Sequence, residues 1–90
     1  MVIFVARSGK IIMREDEWAE RAKNLLKAEL KRRGVGYREL ADKLTAMGTP
    51  ETERNIANKI SRGGFTAAFF LQCLSAVGAR RLDITTDEAA

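Results

Sequence analysis

The sequence predicts an all-α domain of four helices, and three observations carry that prediction. After Met13 the apolar residues recur at i, i+3 or i+4 and i+7 in four successive runs, the spacing of a helix with one buried face. Glycines separate the runs, at Gly34, Gly48, Gly63-Gly64 and Gly78, where a left-handed residue can end a helix. Ninety residues, 46% hydrophobic and 31% charged, suffice for one small core and leave no room for a second.

Residues 1–13 differ from the rest. Ile3-Phe4-Val5 and Ile11-Ile12 are β-branched and aromatic runs around Arg7-Ser8-Gly9-Lys10, the pattern of a short strand or loose hairpin. Met13-Arg14-Glu15 resembles a natural protein start, so this segment is either a structural strand or a dispensable extension. The helical domain is expected over residues 14–84, and residues 85–90 read as a frayed acidic tail.

The first helix is expected from about Asp16 to Arg33. Glu15, Asp16 and Glu17 suit its positive N-terminal end, and Lys31, Arg32 and Arg33 its negative C-terminal end. Trp18, Ala22, Leu25, Leu26 and Leu30 form its apolar stripe. Glu29 lies inside that stripe, where an unpaired carboxylate would be costly, so a partner is expected in Lys59 or Arg62. The second helix buries Tyr37, Leu40, Ala41, Leu44 and Met47 and ends at Gly48. The third is expected from Pro50 to Arg62, with Thr49 as N-cap, Pro50 at the first helical position, and Ile56 and Ile60 inward.

The fourth helix starts after Thr66, with Phe65 and Phe70 spaced for a hydrophobic staple. From Ala67 to Val77 only Gln72 and Ser75 are polar. A helix apolar nearly all round is the hub of a bundle or part of a dimer interface. Arg80 to Ile84 reads as a short C-terminal edge strand.

Composition excludes much chemistry. The chain has no histidine and one cysteine, Cys73, which removes the usual metal ligands, the commonest general base and any disulfide framework. No enzyme activity, metal or cofactor is expected, and Cys73 reads as a small core residue. No run approaches the roughly 18 apolar residues of a membrane span. The apolar N-terminal run precedes Arg7, the reverse of a secretory leader, and the expectation is a cytoplasmic protein.

Charge points to a polyanion. The whole chain carries +4, but between Trp18 and Arg81 thirteen lysines and arginines face six acids, a net +7, while the flanks are acidic. On the third helix Asn55, Asn58 and Arg62, at i, i+3 and i+7, fall opposite Ile56 and Ile60, with Arg54 and Lys59 beside them. Asparagine can bond adenine bidentately, arginine guanine, and lysine phosphate. The competing reading of this face is simple solvation.

Tyr37-Arg38-Glu39-Leu40-Ala41-Asp42-Lys43-Leu44, then Ile56, Ile60-Ser61-Arg62-Gly63 and the apolar helix ending at Gly78, together resemble the lambda-repressor-like (Cro/C1, XRE) helix-turn-helix fold over about Trp18 to Gly78. More narrowly, Trp18, Ala22-Lys23, Leu25-Leu26-Lys27, Asn58-Lys59-Ile60-Ser61-Arg62-Gly63, Phe65 and Phe69-Phe70-Leu71-Gln72-Cys73-Leu74 resemble a small bacterial family recorded only as a domain of unknown function. The first resemblance implies binding of double-stranded DNA. It carries base contacts to Asn55, Asn58 and Lys59, and backbone contacts to Arg38, Arg62 and the amides of Gly63 and Gly64. Two departures stand out: a longer connection over Thr45 to Thr52, and Tyr37 where such proteins often carry a phosphate-contacting glutamine. The expectation is therefore a DNA-binding transcriptional regulator, with a homodimer or protein partner engaged through the fourth helix and residues 80–84. The alternative is a protein-interaction adaptor that uses the apolar face of the fourth helix and does not bind DNA.

Overall fold

The computed structural model describes residues 14–84 together with the backbone of two short strands, β1 (Phe4–Val5) and β2 (Ile11–Ile12). The strands pair antiparallel, Phe4 opposite Ile12 and Val5 opposite Ile11, the hairpin pairing offered by the β-branched and aromatic runs. Residues 6–10 and the expected acidic tail 85–90 lie outside the described residues. Four helices follow: α1 (Glu15–Arg33), α2 (Tyr37–Ala46), α3 (Glu53–Arg62) and α4 (Ala67–Ala76). Between residues 14 and 84 helix is the only regular secondary structure, which places the domain in the expected all-α class.

Local chemistry sets the helix ends. The Arg14 amide donates to Glu17 Oε1 at 3.0 Å, and α1 begins at Glu15, one residue before the expected Asp16. At its other end Gly34 is left-handed (φ 69°), its amide donates to Lys31 O, and Val35 N–H donates to Leu30 O at 2.9 Å, a Schellman closure. Thr66 caps α4 by accepting from the Phe69 amide at 3.0 Å. The anticipated staple forms there, with Phe65 stacked on Phe70 at 5.8 Å between ring centroids.

The start of α3 corrects the expectation. Thr49 does not cap it, because its hydroxyl and amide both donate to Leu44 O at 3.0 Å and finish α2 instead. Thr52 supplies the cap, accepting from Asn55 N at 3.1 Å, and helix begins at Glu53 rather than Pro50. The intervening turn is tied back to α2 by the Glu51 amide, which donates to Thr45 Oγ1 at 3.4 Å.

The core sits where the four helices meet. Leu26 and Leu30 of α1, Leu40 and Leu44 of α2, Ile56 and Ile60 of α3, and Phe69, Cys73 and Leu74 of α4 are buried together. α2 lies against both α3 and α4, and α1 packs on α4 and on α3. Each fully buried aliphatic side chain contributes about 1.5–3 kcal/mol, which stabilises helices too short to persist alone.

Two expected burials fail, and of the two roles offered for α4 the enclosed hub is not met within the single chain. Trp18, in the predicted stripe of α1, is 49% exposed, and Met47 lies beyond the end of α2 and is 47% exposed. α4 is not enclosed: Phe69, Cys73 and Leu74 face inward, while Leu71 is 61% exposed and Ala67 and Ala68 are also open. An apolar composition all round does not bury a helix that has neighbours on one side only. Residues 79–84 also form no strand. They run in irregular conformation along α1, with Leu82 packed on the core and Arg21 Nη2 donating to Ile84 O.

Candidate nucleic-acid interface

α3 is short and its two sides are sharply different. Ile56 and Ile60 are completely buried, and they fix the helix against α2. Arg54, Asn55, Asn58 and Arg62 are all exposed on the remaining circumference. Arg38 is exposed in the first turn of α2. These five side chains are free to reach a ligand, and their types match base edges and phosphates.

Lys59 belongs elsewhere. Its Nζ pairs with Glu51 Oε2 at 2.5 Å and stands 4.8 Å from the Phe69 ring centroid. The Glu51 side chain is only 12% exposed, so the lysine compensates a nearly buried carboxylate. Its ammonium is committed to the joint between the turn, α3 and α4, and does not stand on the outer face beside Asn55 and Asn58.

The two glycines also divide. Gly63 is the α3 terminus, at φ 68° and ψ −170°, and its amide donates to Ile60 O at 3.1 Å. That amide is used inside the protein, which corrects the expectation that it contacts a phosphate. A Cβ on Gly63 would stand 3.3 Å from Ala19 O, so the chain turns here directly on the backbone of α1. Gly64 also has positive φ, 63°, but faces open space and is exposed.

Two grooves meet at Arg62. One of about 270 Å³ brings Lys59, Arg62, Gly63 and Gly64 together with Phe65 and Thr66. The other, of about 500 Å³, sets Arg62 across from Asp16, Glu17 and Glu20 of α1, with Arg14 at its rim. The basic face of α3 therefore ends at an acidic border formed by the first turns of α1.

Glu29 does not reach α3. Its carboxylate is held within α1 by Arg32 and by Arg33, whose Nε donates at 3.2 Å, so the expected pairing with Lys59 or Arg62 is replaced by contacts at i+3 and i+4. Buried Arg21, 8% exposed, is a residue that the sequence analysis missed. Its position beside Ala22 in the apolar stripe was the available signal. Cys73 is completely buried and its thiol is pushed up to about 12, first by burial and then by the Glu51 charge, against the opposing effect of Lys59. It is a core residue held protonated, far from the low pKa of a reactive thiol.

Together these features define a small all-helical domain with one polar, cationic helix face. Over residues 18–82 the chain matches the family described as Domain of unknown function (DUF6471), and it belongs to that family. No curated protein and no solved structure matches it.

Proposed function

We propose that this protein binds double-stranded DNA as a transcriptional regulator in the cytoplasm, with α2 and α3 acting as a lambda-repressor-like helix-turn-helix and α3 as its recognition helix. The observation that carries the reading is the asymmetry of α3: two isoleucines at 0% exposure on one side, and Arg54, Asn55, Asn58 and Arg62 open on the other. Asn55 and Asn58 would read base edges, and Arg54, Arg62 and Arg38 would meet guanine or phosphate. Lys59 acts indirectly, by bracing α3 against the turn. Of the two glycine amides, only that of Gly64 remains a candidate for a phosphate.

A helix of this length covers few base pairs, so useful specificity needs a second reading head, a homodimer or a partner protein. The exposed outer side of α4 around Leu71, with residues 80–84, is the surface proposed for that contact. The same exposed Leu71 favours a second reading, in which α4 docks a protein and DNA is not bound at all. Titration of fluorescent duplex at low salt separates them. Affinity that falls steeply with added salt, and loses sequence preference in Asn58→Ala/Arg62→Ala without loss of helicity, supports DNA readout. Undetectable duplex binding would leave the adaptor.

A further inference from the structure

A groove of about 370 Å³ lies at the opposite end of α1, between its last turns and the start of α2. Its floor follows from the Schellman closure. When Val35 N–H bonds Leu30 O, the side chains at those two positions are brought together, and Tyr37 closes the third side. The lining is thus aliphatic and aromatic, with Val35 and Tyr37 half-buried against the core. Lys27 and Lys31, one turn apart on α1, form its rim.

The charges around this groove are not equivalent. Arg32 and Arg33 share the single carboxylate of Glu29, and Lys23 is paired with Glu20, whereas Lys27 and Lys31 are exposed and without an ion pair among the described residues. Gly36, also in the lining, is the N-cap of α2 and offers no side chain to cap it, so the positive end of α2 opens beside the two lysines. An apolar floor with three sources of positive potential at its edge is complementary to aliphatic side chains flanked by carboxylates.

We infer that the Leu30–Val35–Tyr37 groove docks an acidic amphipathic helix of a partner protein, with Lys27 and Lys31 clasping its carboxylates. Helix-in-groove binding anchors apolar residues at i and i+4 in such a depression, while rim charges select the partner. A phosphate backbone would use the lysines but leave the apolar floor unfilled. The groove is also distant from the C-terminal end of α3. Gly63 rests on Ala19, and Lys31 lies twelve residues further along α1, roughly 18 Å away at 1.5 Å per residue. Arg38, the proposed DNA contact on α2, is the neighbour of Tyr37, so a partner seated here stands beside that residue; the inference itself does not depend on DNA binding.

The test uses the full chain and a synthetic helical peptide with leucines at i and i+4 flanked by glutamates, beside a scrambled peptide of the same composition. The wild type should bind the amphipathic peptide and not the scrambled one. Lys27→Gln/Lys31→Gln, both at exposed positions, should weaken that binding by about tenfold or more with the helical circular-dichroism spectrum retained. The same variant should keep the wild-type response to duplex, whether that is binding or none. Equal binding of the two peptides, no binding of either, or a loss of duplex affinity matching the loss of peptide affinity would overturn the inference, the last by making the lysines phosphate contacts.

Discussion

Gly63 is the residue on which the geometry of the candidate interface turns. Its φ of 68° with ψ of −170° lies in a region that side chains other than glycine rarely enter, and an added Cβ would press on Ala19 O at 3.3 Å. Gly63→Ala should cost about 2 kcal/mol or more, a fall in Tm of roughly 8–16 °C for a domain of this size. Gly34→Ala, left-handed but facing open space, should cost about 1 kcal/mol, and thermal melts of the two variants check the order. Cys73 makes a second prediction at this scale. Burial raises its pKa from 9.0 to about 12, so the fold favours the protonated thiol. That contribution is complete below about pH 9 and is lost as the pH rises toward 12. The Tm advantage of wild type over Cys73→Ala should therefore shrink across that window, and a thiol reagent should modify Cys73 only in denaturant.

At the scale of elements, the turn between α2 and α3 is built from competing threonines. Thr49 ends one helix and Thr52 starts the next, each through its own hydrogen bonds. Thr52→Ala removes the side-chain acceptor of the Asn55 amide and should cost about 1 kcal/mol, visible as a lower midpoint in urea. Fraying would reach Arg54 and Asn55 first, so duplex affinity should fall more in Thr52→Ala than in Thr49→Ala. Thr49, Pro50 and the acids after it form as good a helix start in the sequence as Thr52 does. The choice is made by Leu44 O, which Thr49 reaches only because α2 ends beneath it. By contrast the caps at Gly34 and Thr66 and the Phe65–Phe70 staple were legible in full, because each has one signal in the sequence where the start of α3 has two.

For the whole molecule, the distribution of unpaired charge matters more than the total. Thirteen cations stand between Trp18 and Arg81, yet Lys23 and Lys59 are each matched by a carboxylate, Arg32 and Arg33 share that of Glu29, Lys43 lies 3.8 Å from Glu39, and Arg21 is buried. The expected result is a salt slope of duplex binding that falls by about one on Arg38→Ala or Arg54→Ala and is unchanged by Arg32→Ala. The acidic border formed by Asp16, Glu17 and Glu20 limits the cationic surface at Arg62. Partition of charge along the sequence reveals the basic core, but which cations are spent internally is a matter of spatial neighbours.

The division between sequence and tertiary structure follows from range. The sequence by itself determined four helices, the glycines that end them, most of the core and the polar outer residues of α3, because periodicity and capping act over three or four residues. Only the tertiary structure decided that Lys59 serves Glu51 and Phe69, that Trp18 and Leu71 remain exposed, and that an apolar groove opens between Lys27 and Lys31. Those outcomes depend on which helix ends approach each other. A stripe of apolar residues states that a face can be buried, and packing alone settles how much of it finds a neighbour.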